Sequence, residues 1–350
     1  MPRGTPRAPR RRTAAPHSEP PLLVVSVGCP AGIGPEVSLA AAHALRGARC
    51  VLVGDPGVLE RAARLAGVNP KKLVPFEGSA PPAGAIAIQP AGPKLGASDT
   101  RPGRPSKRAG AAQLEYIEEA YRVAVAAPGR ALVTAPVSKA AIARSGVRRA
   151  RGFLGHTEWL RDLDGAPTSV MSFVAGGLAT SLVTTHVPLA RVPEALSPNG
   201  VRDAILALSE LLQGTGVSSP RIAVASLNPH AGESELLGDE ERRAIVPGIR
   251  AARRRLGSKI AVVGPLGAET AYRKARLGEY SGVVAMYHDQ ATIPMKLVAF
   301  GEAVNVTSGL SIVRTSVDHG TAYDIAWTGT ADPRGMLEAM RLAARLVRVG

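Results

Sequence analysis

The sequence predicts an α/β protein built on a largely parallel sheet with helices on both faces. Three observations carry this. Short apolar runs of strand length alternate with amphipathic stretches of helix length from residue 22 to the C-terminus. The apolar runs are continuous rather than alternating, as strands buried on both faces require. Several of them also end in a glycine turn or a histidine, the kind of residue that a parallel sheet presents at its C-terminal edge.

Expected strands are 22–28, 50–54, 85–88, 131–134, 170–175, 180–185, 222–227, 260–264, 283–287 and 303–307. Expected helices are 35–46, 56–66, 109–127, 199–212, 239–255 and 333–347. Pro35 and Pro56 suit helix starts, where the first N–H has no partner within the helix. Residues 77–110, rich in Gly, Pro and Ala, read as an irregular connection holding one short strand. No internal repeat is visible.

The chain has 350 residues, 45% hydrophobic and 20% charged, a globular composition large enough for two packed subdomains. No apolar run approaches the ~20 residues of a membrane-spanning helix. Two cysteines, Cys29 and Cys50, are too few for a disulfide framework and imply a reducing, cytoplasmic setting. The formal net charge of +15 raises the question of nucleic acid. Much of it is local, since Arg3, Arg7, Arg10, Arg11 and Arg12 face the single Glu19 in a tail that is expected to be disordered over 1–20. With only 3% aromatic residues there is little for a base-stacking platform. Neither nucleic acid nor membrane is expected as a partner.

The first strand runs into Gly28-Cys-Pro-Ala-Gly32-Ile-Gly34. This is not the G-x-G-x-x-G spacing of a Rossmann nucleotide site, and Pro30 and Pro35 remove backbone donors. The turn could hold an anion or simply allow close packing.

Three of the seven histidines end apolar runs: His186 in Ser181-Leu-Val-Thr-Thr-His, His230 in Ala223-Val-Ala-Ser-Leu-Asn-Pro-His, and His288 in Val283-Val-Ala-Met-Tyr-His. Each alone fits an ordinary loop imidazole. Jointly they share one topological position and suggest one divalent-metal site, since neutral imidazole is the commonest metal ligand. His319 is a fourth candidate, His43 reads as a helix-surface residue and His17 belongs to the tail. Near His288 lie Asp289, Lys296, Asn305 and Arg314, donors suited to a phosphate or carboxylate. His156 and Thr157 stand at a helix start, where Thr157 or Glu158 could equally serve as a cap.

Long motifs then give a resemblance covering nearly everything but the tail. They are Pro30-Ala-Gly-Ile-Gly-Pro-Glu36, Thr134-Ala-Pro-Val137 with Lys139, Gly155-His-Thr-Glu158, Thr184-Thr-His-Val-Pro-Leu189, Leu227-Asn-Pro-His-Ala-Gly-Glu233, Gly264-Pro-Leu266, Met286-Tyr-His-Asp-Gln290 and Arg314-Thr-Ser-Val-Asp-His-Gly-Thr321. With them the chain resembles the 4-hydroxythreonine-4-phosphate dehydrogenase family of vitamin B6 biosynthesis. The resemblance implies two α/β/α subdomains with an interdomain cleft, similar to isocitrate and isopropylmalate dehydrogenases. On it we place 21–150 with about 315–350 in the first subdomain and about 151–314 in the second.

It further implies a homodimer whose active site uses both subunits, and NAD or NADP as cofactor. Metal ligands fall on His186, His230 and His288, for zinc, cobalt or magnesium. Substrate-binding residues fall on His156, Thr157, Lys296, Asn305 and Arg314. Lys296 or Asp289 is the expected base, and Glu269 stands where the family usually has Asp. Cys29, Ser308 and Ser311 also depart from the family pattern and bear on substrate preference. The expected reaction oxidises 4-(phosphooxy)-L-threonine to a 3-oxo acid that loses carbon dioxide. Two rivals remain: a same-fold dehydrogenase acting on a four-carbon sugar-acid phosphate or a dihydrodiol carboxylate, and a metal-dependent hydrolase or acyl transferase needing no nicotinamide.

Overall fold

The computed structural model describes residues 19–349, so residues 1–18 of the expected basic tail lie outside it. In chain order, β1 (Leu22–Ser26) leads to α1 (Gly34–Ala44) and β2 (Arg49–Gly54) to α2 (Pro56–Leu65). Next come β3 (Leu73–Pro75), β4 (Ile86–Pro90), α3 (Lys107–Val125), β5 (Arg130–Thr134), α4 (Lys139–Ala143) and α5 (His156–Asp164). The hairpin β6 (Val170–Ala175) and β7 (Leu178–Leu182) precedes α6 (Val192–Ala195), α7 (Pro198–Gly214), β8 (Arg221–Ala225) and α8 (Val246–Leu256). Then follow β9 (Ala261–Leu266), α9 (Ala268–Arg276), β10 (Gly282–Ala285), α10 (His288–Val298), β11 (Val304–Ser308), β12 (Val313–Val317) and α11 (Arg334–Val349).

All twelve strands form one sheet, in the order β3-β4-β2-β1-β5-β12-β11-β6-β7-β10-β8-β9. Neighbours pair in parallel except in the middle, where β11 is antiparallel to both β12 and β6, and β6 to β7. The sheet therefore places β1–β5 and β12 on one side and β6–β11 on the other.

β1 shows why its residues make a strand. Leu22 and Val24 enter the core beneath α3, while Leu23 and Val25 enter the one beneath α1, α2 and α11. An apolar residue is thus needed at every position, with period two on each face. In the other half, α7 and α8 cover one face and α9 and α10 the other. Helix starts are set locally: Asp55, Ser106 and Ser197 accept from Val58, Ala109 and Gly200 N–H at 2.9, 3.0 and 3.1 Å. The second oxygen of Asp55 also accepts from Leu95 N–H at 2.9 Å, tying down the irregular connection.

Several elements differ from expectation. β12, α9 and α10 are not among the expected elements, whereas α5 begins at His156, where a helix start is expected. His288 ends its apolar run by opening α10, and Pro294 inside that helix interrupts the helical periodicity. His186 lies four residues beyond β7, and His230 sits in a tight turn, Pro229–Gly232, beyond β8. The glycine turn after β1 is explained by packing. A Cβ on Gly28 would come within 2.3 Å of the Pro136 carbonyl oxygen, and one on Gly32 within 2.8 Å of that of Thr321. No helix among the described residues is long and apolar enough to cross a membrane, and Cys29 and Cys50 are free and buried.

Candidate active site

Arg314 is the anchor of the site. It lies on β12 opposite Thr307 of β11, and is 2% exposed. Its guanidinium donates to Thr307 Oγ1 at 2.8 Å and, across β5, to Thr134 Oγ1 at 2.7 Å. Its Nε has no partner, and among the described residues no carboxylate stands within ion-pair distance. Burial pulls its pKa down to about 10, against the opposing field of Glu158. A buried charge held only by neutral hydroxyls costs several kcal/mol, at about the scale of burying any single ion. An arriving anion would relieve that cost.

Two more unpartnered polar atoms accompany it. Asn305 Oδ1 on β11 and His156 Nε2 at the start of α5 are both buried without a hydrogen bond. α5 begins after Gly155 with no side-chain cap, so neither Thr157 nor Glu158 serves the capping role considered above. Burial, then the positive charges of Arg314 and Lys139, hold His156 well below its ordinary pKa. Both effects favour the neutral imidazole. Lys139, given no role by the sequence motifs, places its Nζ 3.4 Å from where a Gly155 Cβ would stand, beside the Glu158 carboxylate. Its presence was missed because a lone lysine at a helix start reads as surface charge.

The connections after β7 and β10 bring His186 and His288 together, with ring centroids 5.7 Å apart. An ion ~2.1 Å from one nitrogen of each ring, at a tetrahedral angle, would set the centroids roughly 5 Å apart. His288 Nδ1 is 2.7 Å from Asp289 Oδ1, which leaves Nε2 as the free donor. Burial, then the charge of Lys139, lowers the His186 pKa and favours the neutral form a metal needs. This pair therefore fits a divalent ion. Lys296, eight residues along α10, pairs with Asp318 at 3.5 Å. Burial raises the Asp318 pKa, opposed by Lys296. His319 Nδ1 approaches the Gly320 carbonyl at 3.1 Å, its Nε2 is buried without a hydrogen bond, and its field and that of His288 both act on Asp318.

His230 stands apart. Among the described residues of one chain, no three His, Cys, Asp or Glu side chains are grouped so as to hold a metal ion. The turn carrying His230 holds His230, Ala231, Glu233, Ser234 and Glu235 at φ between 45° and 74°. Such positions cost about 1 kcal/mol or more each for non-glycine residues. Glu269, at the start of α9, is exposed, and its hydrogen bonds to Thr270 outweigh the nearby His230 in lowering its pKa. It thus neighbours His230 rather than Lys296. Ser311 is spent outside the site: its N–H donates to Asp164 Oδ2 at 2.9 Å and its hydroxyl to Oδ1, joining the β11–β12 turn to α5. Ser308 lines a cavity with Glu210 and Gln213 of α7. Cys29 lies 3.6 Å from the Tyr323 hydroxyl.

A 4-hydroxythreonine-4-phosphate dehydrogenase from Klebsiella pneumoniae has this fold. Its TM-score is 0.79 at 35% identity, with 94% of this chain and all of that one covered. A terephthalate 1,2-cis-dihydrodiol dehydrogenase from Burkholderia xenovorans follows at TM-score 0.67 and 31% identity, covering 93% and 98%. The class is thus that of α/β oxidoreductases built on one large mixed sheet. At the level of sequence, a 4-hydroxythreonine-4-phosphate dehydrogenase from Desulfosudis oleivorans is 42% identical over 330 residues, 92% of this chain and 95% of its own. The family model described as pyridoxal phosphate biosynthetic protein PdxA matches residues 46–343, and the chain belongs to this family of vitamin B6 biosynthesis.

Proposed function

We propose that the protein oxidises 4-(phosphooxy)-L-threonine at C3 with NAD or NADP, giving 2-amino-3-oxo-4-(phosphooxy)butanoate. Loss of carbon dioxide from this product yields 3-amino-2-oxopropyl phosphate. The observation that carries the reading is Arg314: a buried guanidinium without a carboxylate, beside the unpartnered atoms of His156 and Asn305. Such a pocket suits a phosphate, which accepts several charge-assisted hydrogen bonds at once.

His186 and His288 would hold a divalent ion, with His230 supplied by a second copy of the chain. The support is geometric: two imidazoles at a fitting separation, and a third that is not grouped with them in its own chain. A second copy is further supported by apolar residues on and after α10, where Leu297 is 82% and Phe300 83% exposed. When bound, the ion would lower the pKa of the C3 hydroxyl and the nicotinamide would accept the hydride. Asp289 orients the His288 ring, which leaves Lys296, as the neutral amine, to take the hydroxyl proton, with Asp318 placed 3.5 Å away to stabilise the ammonium that forms. Asn305, His156, Thr157 and Arg314 would fix the substrate so that C3 faces Lys296.

A dihydrodiol carboxylate is the second reading, favoured by the 31% identical dehydrogenase of that substrate type. Of the departures that suggested it, Ser311 is held by Asp164, while Ser308 lines a cavity together with Thr307 and Arg314. It is the buried Arg314 guanidinium, without a carboxylate, that favours the phosphorylated substrate. Turnover on the two substrates, read as absorbance of reduced nicotinamide, tests the choice. Rapid reduction with 4-(phosphooxy)-L-threonine that stops with a chelator and returns with zinc or cobalt is expected. Turnover of the dihydrodiol alone, or full activity in chelator, would contradict the reading.

A further inference from the structure

Glu241 is buried at 6% exposure, and among the described residues no lysine or arginine pairs with it. A carboxylate in that position needs another reason to be tolerated. Its hydrogen bonds supply one. Oε1 accepts from Leu227 N–H and Asn228 N–H, both at 2.9 Å, and Oε2 accepts from Asn228 Nδ2 at 3.0 Å. The same amide nitrogen reaches Glu240 Oε2 at 2.7 Å. All these contacts fall on the two residues just before Pro229 and His230.

The loop beyond is closed on the same carboxylate. A Cβ on Gly232 would stand 3.0 Å from Glu241 Oε2 and 3.1 Å from the Gly238 carbonyl oxygen, so the chain passes directly against the carboxylate. Leu237 N–H returns to the Gly232 carbonyl at 3.1 Å. Glu241 itself opens a π-helical turn, Glu241–Ile245, before α8. Such inserted turns are rare and recur where a side chain must be aimed. From the other side, Gln290 of α10 accepts from Met286 N–H at 2.7 Å and donates to the Ser226 carbonyl at 2.9 Å. The base of the His230 loop is therefore fixed to the connection that carries His288.

We propose that Glu241 is a positioning residue for His230: its carboxylate holds the strained turn that presents the imidazole to the metal site of a second protomer. The inference rests on the metal reading above and deepens it. Unlike a capping residue, Glu241 serves no helix end, and its acceptors are spent on the ligand's own loop.

Cobalt(II) and zinc titrations of the full chain test it, with affinity and the cobalt d–d band as readouts and Tm as a check on folding. Wild type should bind, and His230→Ala should not; if wild type binds neither ion, it is the metal reading that fails. Given wild-type binding, Glu241→Asp, one methylene too short to reach both N–H groups, should weaken it by about 10- to 100-fold and alter the cobalt band. Glu241→Gln keeps an acceptor for both N–H groups but sets its own NH2 against the Asn228 amide, so it should weaken binding less than Glu241→Asp does. Should Glu241→Asp fail to fold, Asn228→Asp decides, since it sets a third carboxylate against Glu240 and Glu241 and should cost at least about tenfold. Wild-type affinity and an unchanged band in the folded Asp variants would overturn the proposal.

Discussion

Arg314 carries the sharpest consequence at the scale of one residue. Replacing it with alanine should lower kcat/KM for the phosphorylated substrate by at least about 100-fold, at about 3–5 kcal/mol for leaving an anion unpaired. The rise should fall mainly on KM. The ligand-free protein should keep or gain Tm, because the variant removes an uncompensated buried charge. A lower Tm with unchanged KM would mean that the guanidinium serves the sheet rather than the substrate. His156 gives a second test, in pH. Its folded pKa is held below its unfolded value of about 6.5, so the unfolded chain binds the extra proton. Stability from this group is complete above about 6.5 and falls as pH drops toward the folded value. His156→Gln should therefore flatten the decline of Tm on acidification below about 6.5. An equal slope in both proteins would assign the effect elsewhere.

Elements divide into those whose sequence signals agree and those where one signal overrides another. β1, β5 and β8 were legible because each is a short apolar run between helices, which only a sheet buried on both faces uses. α10 was not, because Pro294 interrupts it and because Ile293, Leu297 and Phe300 face outward instead of completing this chain's core. α9, with Glu269, Arg273, Lys274 and Arg276 in nine residues, hid its apolar stripe among charges. β12 was hidden by its own chemistry, since Arg314, Thr315 and Ser316 are all polar within its five residues. The histidines were legible as a set by their place after β7, β8 and β10, which are parallel neighbours. That His230 leaves its own chain's pair was not, because spacing says nothing of a second copy. The outward face of α10 has its own prediction. Leu297→Asp with Phe300→Asp should halve the mass seen by light scattering, to 36.2 kDa, and abolish turnover. A monomeric wild type, or an active monomeric variant, would contradict the role given to this face.

For the whole molecule, the central claim is that one active site draws His186 and His288 from one protomer and His230 from the other. Everything around it follows from the sheet: the antiparallel strands β11, β6 and β7 join two parallel halves, and the residues grouped around Arg314 gather at that junction. Complementation measures the claim directly. His230→Ala and His288→Ala chains, each inactive alone, are mixed, dissociated and reassociated, and turnover is followed. A hybrid dimer then contains one site with all three histidines, so random pairing should restore about a quarter of wild-type activity. A mixture as inactive as its parents would contradict the shared site.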